Sequence, residues 1–252
     1  MPSTLLEFPV PLLELTPEQL RQEAEIVTDT EEAVDNPQCE RKQHLTPDVL
    51  HTSWRPCHPD RPQEPRKFWA ASDVGVFITF DHFRLPDSFV AYDIDPPGGS
   101  RKAFFHWLYK KAPEVVFENV SNKEGGELDE RADFYEAAGV ENYIVFDPDR
   151  QLGGEDVYVF VRKKGKFVRS NQMYVPALRL WLTVWKGVYM ALESRYLRFC
   201  DADGVLLPTA SELAARNADE RDRAAAERDR AAAERDRLAA KLRALGIDPN
   251  QP

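Results

Sequence analysis

Two carboxylates stand at the ends of predicted strands, where a charged side chain needs a partner. Residues 115–120 read VVFENV, an apolar run that is interrupted by Glu118. Asp87 lies in LPDSFVAYDI and follows Pro86, which cannot donate to a sheet ladder and therefore suits the start of a strand. Burying either carboxylate is costly unless it meets a hydrogen-bond donor or a cation. Asp87 and Glu118 are therefore the first candidates for a chemical role.

Together these carboxylates suit a divalent cation. Mg²⁺ prefers one or two carboxylates, with waters and substrate phosphate oxygens completing its shell. Two adjacent strands that carry Asp87 and Glu118 could therefore build a centre that hydrolyses phosphodiester bonds with Mg²⁺ or Mn²⁺. Taken singly, each carboxylate would more often bind the amides of a turn, and this alternative stays open.

Short apolar runs bounded by Gly, Pro and Asp predict the strands that would position these residues. The predicted strands are residues 67–71, 74–80, 89–93, 115–120 and 143–147. Residues 128–138 carry apolar side chains at near-helical spacing, and Gly139 suits the position after a helix C-terminus. The pattern predicts a mixed α/β domain.

Other segments are predicted with less regular patterns. Residues 157–170 alternate apolar and polar side chains around a KKGK tip, which predicts a β-hairpin. Residues 178–201 are rich in Trp, Tyr and Leu and are expected to add strands to the same sheet. Near the N-terminus, Thr16-Pro17-Glu18 predicts the start of a short helix over residues 17–27. Residues 35–66 show little periodicity, apart from a short helical or irregular segment at residues 44–54.

Several motifs, in their order and spacing, resemble the bacterial restriction endonuclease-like family known as the Uma-type family, in the PD-(D/E)XK nuclease superfamily. The resemblance covers roughly residue 45 to the C-terminus. Its motifs are DVGVF (73–77), LPD (85–87), PEVVFENVSNKEGGEL (113–128), FYEAAGVENYIVFDP (134–148) and RALGIDP (243–249).

The resemblance implies a restriction-endonuclease-like mixed sheet flanked by helices. It also implies that Mg²⁺ or Mn²⁺ is held by Asp87 and Glu118, with the backbone carbonyl of Asn119 as a third ligand. The implied activity is metal-dependent hydrolysis of DNA phosphodiester bonds. The superfamily's lysine, two residues after the glutamate, is replaced here by Val120.

The family instead draws a lysine from the following helix, four residues before a tyrosine. The tyrosine here is Tyr135, and Arg131 stands at the lysine position. Arg131 stays charged, so it can stabilise a phosphate or a charged transition state but is a poor proton relay. Its other interpretation is a surface cation paired with Glu127 or Glu130.

Two further residues are weaker candidates. Lys123 lies five residues after Glu118 and could replace the missing lysine, although the following Gly-rich turn indicates a solvated side chain. The family also places a glutamate on an early helix, for which Glu40 is the candidate here.

The charge of the chain weighs against tight non-specific DNA binding. The formal net charge is −10, and DNA binding requires Lys and Arg on the contact face. Basic residues do cluster at residues 101–102, 110–111 and 162–166, so a local basic rim is compatible with DNA as the partner. A second hypothesis therefore stands beside the nuclease: a catalytically inactive relative that acts as a binding or scaffold module.

The composition divides the chain into an acidic N-terminal arm (1–36), a nuclease-like domain (37–210) and a charged helical tail (211–252). ERDRAAA recurs in the tail with a seven-residue period, which first suggests a coiled coil. Three consecutive alanines per repeat fan around the helix and make no narrow seam, so a single solvated helix is the favoured interpretation. A homodimer stays open.

The cysteines and the hydrophobic pattern indicate the cellular compartment that we expect. Three cysteines without a C-x-x-C pair argue against a disulfide framework. We find no apolar run long enough to cross a bilayer and no basic segment followed by an apolar stretch at the N-terminus. A cytoplasmic protein that does not bind membranes is the simplest expectation.

Overall fold

A mixed sheet with helices on its faces forms the centre of the molecule. The computed structural model describes residues 16, 37–96, 102–121 and 126–245. The helices are α1 (Pro37–Ser53), α2 (His106–Tyr109), α3 (Glu130–Ala138) and α4 (Ala210–Ala244). The strands are β1 (Cys57–His58), β2 (Arg61–Pro65), β3 (Phe68–Ser72), β4 (Val76–Phe77), β5 (Phe83–Arg84), β6 (Ser88–Tyr92), β7 (Phe104–Phe105), β8 (Val115–Asn119), β9 (Asn142–Phe146), β10 (Val157–Lys163), β11 (Lys166–Ser170), β12 (Tyr174–Val175), β13 (Leu180–Tyr189) and β14 (Leu192–Cys200).

The six-stranded central sheet has the order β11-β10-β9-β8-β6-β3. Strands β8 and β9 are parallel, whereas the other neighbours are antiparallel. The residues of β9 are all buried, and so are those of β8 except Asn119. Near-continuous apolar runs are typical of strands that are covered on both faces, which is why VVFEN and NYIVF take the central positions.

The two faces of β8 pack against different parts of the chain. Val115 and Phe117 belong to a core cluster that includes Leu45 and Val49 of α1. Val116 belongs to a second cluster that includes Phe134, Tyr135 and Ala138 of α3. Since side chains alternate along a strand, Glu118 shares the face of Val116 and is directed toward α3.

Helix α3 ends as the sequence predicts. Gly139 has φ 94°, a left-handed conformation, and its N–H donates to the carbonyl of Glu136. A Cβ at this φ is strained, so a glycine ends the helix here at low cost. The chain then turns into β9, where Asn142 pairs with Val115 of β8.

Helix α1 is longer than the sequence pattern predicts. It runs from Pro37 to Ser53 and contains Pro47, whereas only residues 44–54 were expected to be partly helical. Its buried side chains include Leu45, Val49 and Leu50, which pack on the sheet. Tertiary burial therefore sustains a helix whose interior proline and polar composition conceal it in the sequence.

The expectation that residues 178–201 extend the central sheet is wrong. Strands β13 and β14 form a long hairpin and join β12 in a separate three-stranded sheet. Leu182, Tyr196 and Phe199 pack into the same core cluster as α1. A strand pattern predicts that a segment is extended and half-buried, but it does not specify which strand becomes its neighbour. The predicted hairpin around KKGK is confirmed as β10 and β11.

The remaining strands form small sheets. β1 pairs with β2, and β4 lies between β5 and β7 in a three-stranded sheet. The predicted strand at residues 74–80 is thus shorter than expected, with only Val76–Phe77 paired.

The chain divides into two compact units, with the boundary between Leu207 and Pro208. In the second unit, Thr209 caps α4 and forms a capping box with Glu212. Helix α4 is one continuous helix of 35 residues with no buried residue, so the expected long C-terminal helix is confirmed. The helix expected at residues 17–27 lies outside the described residues. Within the described part of the chain, no helix is both long and apolar enough to span a membrane.

Candidate active site

Glu118 is a buried carboxylate near the end of a central strand of the six-stranded sheet. It is the fourth residue of β8 and is 1% exposed. The β8–β9 register places it beside Val145, so its backbone belongs to the central pair of strands. A charge at such a position requires hydrogen-bond donors or a cation close to it.

Helix α3 supplies two donors to this carboxylate. Nη1 of Arg131 donates to Oε2 of Glu118 at 2.8 Å, and the hydroxyl of Tyr135 donates to Oε1 at 2.8 Å. Arg131 and Tyr135 are four residues apart and therefore lie on one face of the helix. The structure thus places Arg131 against Glu118, and not simply along the surface with Glu130.

Asp87 immediately precedes the neighbouring strand, β6. The β6–β8 register pairs Ser88 with Phe117, so the next position of the antiparallel pair brings Asp87 opposite Glu118. Oδ1 of Asp87 accepts a 2.8 Å hydrogen bond from Nε2 of Gln43, and Oδ2 accepts from the backbone N–H of Asn119. Asp87 therefore joins α1, β6 and β8 at one end of the sheet.

The surroundings of Glu118 shift the pKa of this carboxylate and of the two side chains that bind it. Burial, followed by the charge of Asp87, raises the pKa of Glu118 to about 8, although Arg131 and Tyr135 act in the opposite direction. Burial also raises the pKa of Tyr135 well above its ordinary value, as does the adjacent Glu118, so its hydroxyl remains a donor. Burial works against the charge of Arg131, but the charge and hydrogen bond of Glu118, together with Tyr135 and Glu127, raise the pKa of Arg131. A metal ion bound here would therefore lie beside two carboxylates, Asp87 and Glu118, and beside the guanidinium of Arg131.

The oxygen ligands at this end of the sheet fit a hard divalent cation. Asp87 and Glu118 supply two carboxylates, and no group of three or more His, Cys, Asp or Glu side chains arranged for a metal occurs among the described residues. The backbone of Asn119 lies beside these carboxylates, since its N–H donates to Oδ2 of Asp87. Two carboxylates, one carbonyl and waters are a ligand set typical of Mg²⁺.

Asp147 is also a carboxylate at a strand end, but its hydrogen-bond donors are backbone amides of a turn. It is fully buried and follows β9, yet its two oxygens accept from the backbone N–H groups of Gln151 and Leu152 at 2.9 and 2.8 Å. These are turn amides, the ordinary partners of such a residue. Glu118 accepts instead from two side chains of a helix, and this difference distinguishes the candidate site from a structural cap.

Gln43 of helix α1 contacts Asp87, although the sequence pattern did not single this residue out. Gln43 is 4% exposed and binds Asp87. Glu40 lies on the same helix, is exposed and forms an ion pair with Arg41. The available signal in the sequence was a polar residue two positions before the buried Leu45, on a helix that the pattern concealed.

Glu127 is another residue that the sequence did not single out. It is 3% exposed, and within the described part of the chain its Oε2 has no hydrogen-bond partner. Its backbone carbonyl accepts from the hydroxyl of Tyr143, and its charge contributes to the raised pKa of Arg131. Arg131 therefore lies in the field of two carboxylates but is hydrogen-bonded to Glu118. Lys123 lies outside the described residues.

Comparison with known proteins identifies one family. The family model Uma2, described as "Putative restriction endonuclease", matches residues 41–178, which is more than half of the chain. The match includes Gln43, Asp87, Glu118, Arg131 and Tyr135. No curated protein matches the chain.

Proposed function

We propose that this chain, which belongs to the Uma2 family of restriction endonuclease-like proteins, is a metal-dependent endonuclease that hydrolyses DNA phosphodiester bonds. The observation that carries the proposal is the juxtaposition of Asp87 and Glu118 on neighbouring antiparallel strands, with Arg131 bonded to Glu118. Two carboxylates can hold a divalent cation, and a cationic side chain beside them can offset charge on a phosphate.

Mg²⁺ or Mn²⁺ would be held by Asp87, Glu118 and the carbonyl of Asn119. When bound, such a cation lowers the pKa of water and neutralises charge on a phosphate oxygen. The chain's own contribution is to keep the carboxylates in place. Gln43 and the N–H of Asn119 orient Asp87, and Tyr135 orients Glu118.

Arg131 gives this site its particular character. Its guanidinium remains charged at all accessible pH values, so it can offset negative charge that develops on a phosphate. It cannot accept and return a proton as a lysine with a lowered pKa can. We therefore expect slower hydrolysis than in a relative with lysine at this position.

One observation favours a second candidate function. Each of the four oxygens of Asp87 and Glu118 already accepts a hydrogen bond from the protein. The pair is thus satisfied without a cation, which suits a catalytically inactive relative that acts as a binding or scaffold module. The exposed helix α4 would then be its contact element.

Cleavage of supercoiled plasmid DNA tests the first proposal. The full chain is incubated with plasmid and Mg²⁺ or Mn²⁺, with and without excess EDTA. The proposal expects nicked and linear products with either metal, none with EDTA, and none for Glu118→Gln. The exposed Glu155 provides a matched control, because Glu155→Gln removes the same charge away from the site.

The alternative gives a different result in the same preparation. An inactive relative leaves the plasmid supercoiled in every metal, even when calorimetry shows a folded protein. Cleavage that survives Glu118→Gln would exclude this carboxylate as the centre and point to a contaminating nuclease.

A further inference from the structure

A cavity of about 850 Å³ lies where β8 and β9 begin. Glu114 precedes β8, Asn142 is the first residue of β9, and Tyr92 ends β6; all three line the cavity. Four residue steps separate Glu114 from Glu118, roughly 13 Å along a strand. The cavity is therefore separate from the candidate active site, which lies at the other end of β8.

The lining of this cavity is basic although the protein is acidic. Glu114 and Glu141 are its two carboxylates, and the formal net charge of the chain is −10. Five cationic side chains line it: Arg55, Arg66, Arg162, Lys164 and Arg179. A concave site with one dominant sign of charge focuses the electrostatic field and attracts ligands of the opposite sign.

Part of this charge is already neutralised within the protein. Arg66 forms a 2.8 Å ion pair with Asp93, and Glu114 is paired with Lys111. Within the described residues, the other four cations of the lining form no ion pair with a carboxylate. The excess of positive charge is therefore available to a ligand.

Two of these four cations are held by neutral acceptors. Arg55 follows α1 and donates to the backbone carbonyls of Thr52 and Trp54 at 2.9 and 2.7 Å. Arg162 donates to the carbonyl of Glu136. A carbonyl fixes a guanidinium without cancelling its charge, so both arginines are positioned but remain cationic.

The other two cations are exposed and lie in turns. Lys164 has φ 51° in the turn between β10 and β11, and Arg179 has φ 55° before β13. Gly or Asn would occupy this left-handed conformation with less strain.

We propose that this cavity binds the phosphate groups of an anionic ligand, either a free nucleotide or a segment of a nucleic-acid strand. Its volume lies in the range of about 300 to 1,000 Å³ that is usual for small-molecule sites. The buried Trp54 and Leu178 form apolar walls, and charged hydrogen bonds are stronger beside a low-dielectric wall. This inference goes beyond the proposed function, because phosphate binding here does not require hydrolysis at Glu118.

Binding of ATP and of a short oligothymidine strand to the full chain, measured in EDTA, tests the inference. EDTA removes any contribution from a cation at Asp87 and Glu118. The double variant Lys164→Asn/Arg179→Asn removes two charges while keeping residues that tolerate a positive φ. Lys163→Asn is the matched control, since Lys163 is an exposed residue of the same hairpin and does not line the cavity.

We expect the parent and Lys163→Asn to bind with closely similar affinity. The double variant should bind at least about tenfold more weakly, because it can no longer donate two charge-assisted hydrogen bonds to the phosphate groups. Binding of ATP but not of the strand identifies a nucleotide site, and the reverse identifies a strand site. No binding of either probe by the parent, or equal binding by the parent and a double variant of unchanged melting temperature, overturns the inference.

Discussion

The guanidinium of Arg131 donates to Oε2 of Glu118 at 2.8 Å, and it thereby joins the first turn of α3 to the end of a central strand. The partner carboxylate is buried, while the side chain of Arg131 is 34% exposed. The cation therefore connects a buried charge with solvent. A substrate phosphate would approach the carboxylates from this open side.

This contact leads to opposite expectations for two substitutions. Arg131→Lys should raise the rate of plasmid cleavage, because it restores a titratable amine at the family's lysine position. Arg131→Ala should lower it by about 100-fold, the usual loss when one positioned donor is removed. Initial rates in Mg²⁺ check both. If neither substitution alters the rate of an active protein, Arg131 has no part in the chemistry.

If Asp87 and Glu118 hold a divalent cation, removing either carboxylate should weaken metal binding. Glu118→Gln and Asp87→Asn should each abolish the binding of Mn²⁺ observed by calorimetry. Each should also reduce cleavage by at least about 100-fold, since even partners of metal ligands contribute about 10- to 100-fold. Glu155→Gln should behave like the parent. Retained Mn²⁺ binding in both site variants would place the cation elsewhere.

The position of Gln43 leads us to expect that Gln43→Glu raises the affinity for a metal ion. Gln43→Glu adds a third carboxylate beside Asp87, because the side chain of Gln43 already contacts that carboxylate. Without metal, the melting temperature should fall because like charges repel. With Mn²⁺ it should rise more than in the parent, since a ligand stabilises the folded state that binds it. Equal shifts in the two proteins contradict this prediction, and Glu40→Gln serves as the control.

We expect the folded protein to lose stability in acid as Asp156 becomes protonated. Hydrogen bonds from Arg150, then from Arg195, lower the pKa of Asp156 from its ordinary 3.8 to about 2. A depressed folded-state pKa stabilises the fold above the unfolded value, and this stabilisation disappears as pH falls from about 4 to about 2. The difference in melting temperature between the parent and Asp156→Asn should therefore be largest near pH 7 and shrink below pH 4. A difference in melting temperature that stays constant as the pH falls would contradict this prediction.

Removal of the C-terminal helix should leave the first unit intact. No residue of α4 is buried. Deleting residues 219–252 should thus shift the main melting transition by less than about 2 °C, as expected when only exposed surface is changed. Differential scanning calorimetry measures this shift, and a larger fall would show that the helix stabilises the fold directly or through a dimer.

Local sequence patterns predicted many of the helices and strands correctly. The runs VVFENV and ENYIVFD predicted β8 and β9 to within a residue at each end, and Gly139 predicted the end of α3. These features depend on side-chain alternation, helical spacing and the freedom of glycine at positive φ, all of which act between near neighbours. The same local rules concealed α1, because its stability comes from packing on the sheet.

By itself, the sequence determined a mixed α/β chain with a long charged helix, and it drew attention to Asp87, Glu118 and Arg131. Only the tertiary structure decided that Gln43 and Tyr135 hold the two carboxylates, that β13 and β14 form a separate sheet, and that five cations converge on one cavity. The physical reason is that strand order and contacts between distant residues follow from the packing of the whole core, whereas periodicity and turn chemistry are set within a few residues.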